Sequence, residues 1–174
     1  MNHLSTRPAT TECNPYYLTY IQLVPDGDIV KMLQTQHADI HRLLEGIDNA
    51  AASTLPAPGE WSIKQVVAHL SDAERLFSFR ALWFARGEEA ELPGMEPNPW
   101  VEIVDSNKRP LADLLTEFDQ VRATTISLLA NLDTAAWQRC GVASGSSISV
   151  RALAWIIAGH ELHHNQSLRD VYLA

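Results

Sequence analysis

Hydrophobic positions in this chain recur mainly at spacings of three and four, and Pro/Gly/Ser-rich segments cut the pattern into four blocks. That spacing gathers apolar side chains on one face of an α-helix. The first block runs from the turn Pro25-Asp26-Gly27-Asp28 to about Ala52. Its stripe is Val30, Leu33, Ile40, Leu44 and Ile47, with His37 filling the one wide gap, and Leu55-Pro56-Ala57-Pro58-Gly59 ends it. The second begins at Ser62, whose hydroxyl can cap the helix while Gln65 reaches back. It runs to Gly87, a C-terminal cap, with Val66, Ala73, Leu76, Phe77 and Phe84 facing inward. From Glu88 to Arg109 the chain holds Pro93, Pro97 and Pro99 and reads as a long irregular connection. Pro110 opens the third helix, whose stripe is Leu111, Leu114, Leu115, Phe118, Val121, Thr125, Leu128 and Leu132. A short turn near 135–138 and a Gly/Ser-rich segment over 141–147 lead to a fourth helix. That helix starts near Ser149 and carries Leu153, Ile156, Ile157, Leu168 and Val171. Strand signals are scarce. The pattern predicts an all-α chain, a four-helix bundle with a long crossover connection. Residues 1–18, polar and proline-containing, read as a loose arm ahead of a single domain over 19–174.

Composition narrows the function classes. With 174 residues the chain is long enough for one domain with a sizeable core. Its 21 acidic residues outnumber 13 basic ones for a net charge of -8, and no Lys/Arg cluster breaks that sign. Such a surface repels phosphate backbones, so no nucleic-acid partner is expected. No apolar run approaches the length of a membrane span, and the N-terminus lacks the basic start and apolar core of a secretory signal. The two cysteines, Cys13 and Cys140, are far apart and lack metal-type spacing, which suits a reducing, cytoplasmic setting. Cys140 falls in a loop, where an isolated thiol is usually inert.

The histidines change the picture. In the fourth helix the inward series is Leu153, Ile157, His160, His164, Leu168, Val171, so two imidazoles stand where apolar residues would otherwise sit. Residues four apart share a helix face, so both can reach one ion. In the second helix Val66, His69, Ala73 and Leu76 point His69 at the same core. Three inward imidazoles from two helices form a candidate divalent-metal site with open positions for water or substrate. His37 also lies on an inward stripe and pairs with His41 four residues on, so spacing alone leaves His37 and His69 tied. His163 lies beside the pair but rotates off the stripe, to the site's margin or the surface. Imidazole suits zinc or nickel, and iron or manganese are also open.

His160-Glu161-Leu162-His163-His164 also matches the H-E-x-x-H pattern of zinc peptidases, in which the Glu is a general base. The short stretch after His164 offers no downstream ligand, and no strand-rich segment is available to bind an extended peptide, so a zinc peptidase stays only as the weakest alternative.

Pro58-Gly59-Glu60-Trp61-Ser62-Ile63-Lys64 leading into His69-Leu70-Ser71-Asp72-Ala73-Glu74-Arg75, and Ser149-Val150-Arg151-Ala152-Leu153 leading into Ala158-Gly159-His160-Glu161-Leu162-His163-His164, carry a resemblance. The chain resembles the DinB-like family of metal-binding four-helix proteins from roughly Tyr20 to its end. The resemblance implies a metal held by His69, His160 and His164, which breaks the tie with His37, and a bundle that is often a homodimer. It also implies a small-molecule substrate. Some relatives are S-transferases or isomerases that use a low-molecular-weight thiol, so either a metal-dependent transferase or hydrolase or a non-catalytic, stress-related metal- or ligand-binding protein fits. Asp72 and Glu161 are candidates to accept the second N–H of ligand imidazoles. Arg80 and Arg122 are candidates to hold an anionic substrate. Trp83, Phe84, Trp100 and Trp155 exceed what one helix face needs and are candidates for the dimer interface.

Overall fold

The computed structural model describes residues 3–173. After a short helix α1 (Leu18–Ile21), the chain forms α2 (Ile29–Leu43), α3 (Asn49–Ala52), α4 (Ile63–Ala85), α5 (Pro97–Ile103), α6 (Leu111–Ala130), α7 (Thr134–Gln138) and α8 (Val150–Ser167). Four long helices, α2, α4, α6 and α8, make the bundle. Local chemistry fixes their starts. Asp28 accepts from the Val30 and Lys31 amides, Ser149 from Ala152, and Ser62 with Gln65 makes the expected reciprocal cap.

Packing places α4 beside α6 and α8, and α2 beside α6 and α8, so consecutive bundle helices α2 and α4, like α6 and α8, sit diagonally. The segment 88–109 runs the length of the bundle. Its far end returns to the first turn of α4, where Ser62 Oγ donates to Asn107 Oδ1 at 2.7 Å and Lys64 Nζ donates to the Asn107 carbonyl at 3.2 Å. α6 therefore starts where α4 starts and runs parallel to it. The expected crossover is present, and it contains α5 rather than only irregular chain.

Other departures have clear causes. The first predicted helix breaks after Leu44, because Gly46 takes a φ of 80° and Asp48 caps the new helix α3 through the amides of Ala50 and Ala51. The Gly/Ser-rich segment is an antiparallel hairpin, β1 (Cys140–Ala143) with β2 (Ser146–Ser149), turned by Ser144 and Gly145, both at positive φ. Residues 6–17, expected to be loose, are pinned to the bundle. Arg7 donates to the carbonyls of Ile21 at 2.8 Å and Val24 at 2.6 Å, and its guanidinium lies 4.5 Å over the Trp155 ring. Glu12 accepts from Ser149 Oγ at 2.7 Å and pairs with Arg151. Those partners lie up to 139 positions away, which no local pattern reveals. Trp155 and Phe84 are fully buried core residues, not interface candidates; Trp100 is exposed.

The core forms two apolar clusters. One gathers Leu33, Phe77, Phe84, Leu129, Trp155 and their neighbours; the other gathers Ile40, Val67, Leu70, Phe118 and Leu168. Along each helix the change of cluster falls at polar residues: Gln36 in α2, His69, Ser71 and Glu74 in α4, Arg122 in α6, and His160, Glu161 and Asn165 in α8, all buried. A polar layer thus crosses the middle of the bundle. Among the described residues no helix is long and apolar enough to cross a membrane.

Candidate metal centre

His69 on α4 and His160 and His164 on α8 meet at the antiparallel contact of their helices. His69 Nε2 lies 3.2 Å from His160 Nε2, and His164 Nε2 lies 3.1 Å from the same atom. All three can offer a ring nitrogen within 4.8 Å of one another, the one such His/Cys/Asp/Glu group among the described residues. Burial keeps the rings neutral. It pushes His69 down to about 4 and His164 to about 3, and it holds His160, which also faces the other imidazoles, well below the ordinary histidine range.

That arrangement fits a cation better than a hydrogen-bond network. A neutral imidazole nitrogen carries either one proton or one lone pair, so His160 Nε2 can satisfy at most one of its two neighbours. A shared divalent ion takes a lone pair from each ring. Nitrogens about 2.1 Å from one ion at a tetrahedral angle stand roughly 3.4 Å apart, close to the two short separations.

Aromatic rings wall the group. Trp61 lies 4.8 Å from His69 and is stacked near-parallel to His164, at 6.4 Å and 15°. Its position is tied at the far end of the chain, where Tyr172 Oη donates to the Trp61 carbonyl at 2.6 Å. Tyr20 stands edge-on to His160 and close to His163, 5.3 Å from each. Neither role was drawn from the sequence, although Trp61 sits inside one of the matching segments. A cleft of about 340 Å³ reaches the group at His164, lined by Glu60, Trp61, Asn98, His163, Ser167 and Tyr172 among others.

The remaining candidates lie elsewhere. His163 is exposed at the cleft. Asp72 pairs with Arg75 at 3.3 Å, and Glu161 with Arg122 at 2.9 Å. Among the described residues neither carboxylate bonds a cluster imidazole, so the expected N–H acceptors are not these two. Arg122 is 1% exposed and committed to Glu74 and Glu161. Arg80, equally buried, donates to the Pro93 carbonyl at 2.7 Å and Ser144 Oγ at 3.1 Å. Both arginines, read as anion-binding, are consumed inside the fold. His41 pairs with Asp119 at 2.9 Å, and His37 stands outside the cluster, its buried Nδ1 without a hydrogen-bond partner among the described residues. Glu161 points into the bundle, so the H-E-x-x-H match lacks its base.

Fold and site together define a four-helix bundle with a histidine centre suited to a divalent ion. The DinB superfamily profile matches residues 32–168, and the chain belongs to that family. A protein of Geobacillus thermodenitrificans named as a proposed metal-dependent hydrolase is 22% identical over 128 residues, 72% of each chain. A protein of Geobacillus kaustophilus with the same kind of name is 23% identical over 136 residues, 77% of this chain and 76% of that one. The solved structure of YfiT from Bacillus subtilis, described as a proposed metal-dependent hydrolase with an unusual four-helix bundle topology, superposes with a TM-score of 0.73. It does so at 17% identity over 98% of this chain and 96% of its own. A mycothiol-dependent maleylpyruvate isomerase superposes at 0.68 and 14% identity, over 87% of this chain and 66% of its own.

Proposed function

We propose that this chain holds a divalent metal ion on His69, His160 and His164 and acts as a metal-dependent enzyme on a small molecule admitted through the cleft beside His164. The observation that carries the reading is the convergence of three neutral imidazoles at the inner end of an open cleft. An ion bound there supplies a Lewis acid that favours deprotonation of a water or thiol near neutral pH. The chain's own residues keep the imidazole lone pairs free by burial, wall the cleft with the Trp61 ring, and place Asn98, Ser167 and Glu60 along it, where a substrate would lie. Zinc and nickel suit the ligand set, with iron and manganese as alternatives.

Hydrolysis is favoured by the names of the sequence relatives. A low-molecular-weight thiol as co-substrate is favoured by the fold shared with the mycothiol-dependent isomerase. The test is to load the metal-free protein with each ion and assay ester and amide hydrolysis against thiol addition to electrophiles. Turnover that is lost in His160→Ala supports the enzyme reading. A stoichiometrically metallated protein inactive in both assays would favour a non-catalytic metal-binding role.

The reading extends to a cytoplasmic homodimer. Support comes from two free cysteines and from exposed apolar side chains on one flank, Phe79 at 47% and Leu82 at 37% exposure. A sedimentation mass of one chain at micromolar concentration would exclude the dimer.

A further inference from the structure

We propose that Arg122 is the positioning residue of the histidine centre, holding in register the two helices that carry its imidazoles. Arg122 belongs to α6, which contributes no histidine to the cluster, yet its guanidinium touches each of the other three bundle helices. Nε and Nη2 each donate to the Glu74 carboxylate of α4 at 2.8 Å. Nη1 donates to the Leu33 carbonyl of α2 at 3.3 Å and lies 2.9 Å from Glu161 Oε2 of α8. All three charged side chains are 3% exposed or less.

Each carboxylate sits on a helix that bears imidazoles. Glu74 follows His69 by five residues, and Glu161 is the residue after His160. Neighbouring helical residues point about 100° apart, so His160 can face α4 while Glu161 faces the bundle axis. Rotating or sliding α8 enough to release Glu161 from Arg122 would carry His160 and His164 with it. One planar fork thus sets the relative placement of α4 and α8, and hence the 3.1–3.2 Å approach of the imidazoles. Only arginine can do this, because lysine offers a point charge where two carboxylates need a rigid fork.

Stability alone accounts poorly for the arrangement. Buried ion groups are often no better than well-packed apolar residues, and their best-attested use is to fix register. Among the described residues the surrounding layer leaves Gln36 Oε1, Glu161 Oε2 and Asn165 Oδ1 buried without a hydrogen bond. Glu161 Oε2 is close to Nη1 but out of line with its N–H. A layer kept at such cost is explained if it places the histidines.

The inference rests on the reading that His69, His160 and His164 hold a metal, and the test separates the two. Wild type, Arg122→Lys, Glu161→Gln and the charge-free Glu74→Gln/Arg122→Met/Glu161→Gln protein are each titrated with Co2+ against a chromophoric chelator. The cobalt d–d spectrum and a helical melt are recorded on the same samples. Failure of wild type to bind Co2+ would sink the metal reading itself. With wild type binding, the folded variants should lose about 10–100-fold in Co2+ affinity, as supporting residues of metal sites do, and their d–d bands should shift. A merely structural role would lower the melting point and leave both readouts in place. Unchanged affinity and spectrum in any folded variant would overturn the proposal. Glu161→Gln keeps the side chain's shape and hydrogen-bonding oxygen, so this arm stays readable if Arg122→Lys fails to fold.

Discussion

Gly159 lies directly against the Tyr20 carbonyl: a Cβ at that position would stand 2.2 Å from the oxygen. The contact seats α1 on α8 one residue before His160 and brings the Tyr20 ring to the edge of that imidazole. Gly159→Ala must push α1 away or bend α8, and overpacking of this kind costs about 1–3 kcal/mol. Denaturant unfolding should show the loss. A midpoint equal to wild type would mean that α1 shifts freely and does not fix Tyr20.

The helical blocks were legible because their periodicity is local: the Ser62 cap, the Gly87 stop and the start near Ser149 all match the structure. The convergence of His69 with His160 and His164 was legible only in part, since spacing alone allowed His37 an equal claim. What the sequence could not display were relationships between distant residues. The sequence offers Arg122 as an anion-binding candidate or an ion-pair residue, and nothing nearby in sequence shows that its partners are Glu74 and Glu161. Arg7 and Glu12 gave the arm a loose appearance for the same reason. The hairpin was missed because its strands are four residues each and rich in Gly and Ser.

Buried neutral histidines make the metal-free protein acid-sensitive. In the unfolded chain an imidazole titrates near 6.5, whereas burial lowers His69 to about 4 and His164 to about 3. Between those values the unfolded state binds more protons, so unfolding free energy falls as pH falls. His69 alone contributes on the order of 3 kcal/mol once the pH reaches 4. The check is the denaturant midpoint of metal-free wild type and His69→Leu from pH 7 to 5, above the ordinary carboxylate range. Wild type should lose more stability than the variant; parallel curves would contradict the burial argument.

Glu161 should have no role as a proteolytic base, since its carboxylate is held against Arg122 in the bundle interior. The metal-loaded protein is expected to leave casein intact. Cleavage that is present in wild type and absent in Glu161→Gln would restore the peptidase reading.

His69, not His37, should complete the metal site. Both lie on inward helix faces, but only His69 brings a ring nitrogen to the cluster, 3.2 Å from His160 Nε2. Its burial keeps the lone pair unprotonated down to about pH 4, so the ligand form is present throughout the neutral range. His37 is the residue after Gln36 on α2; among the described residues its buried Nδ1 has no hydrogen-bond partner, and it is not one of the three imidazoles that converge. Deleting a ligand removes a bond to the ion and leaves two imidazoles, whereas deleting a supporting group typically costs about 10–100-fold. The measurement is metal content per chain after dialysis against a weak chelator, for His69→Ala and His37→Ala side by side. His69→Ala should emerge almost metal-free, and His37→Ala should retain most of its metal. The reverse pattern would transfer the third ligand position from α4 to α2.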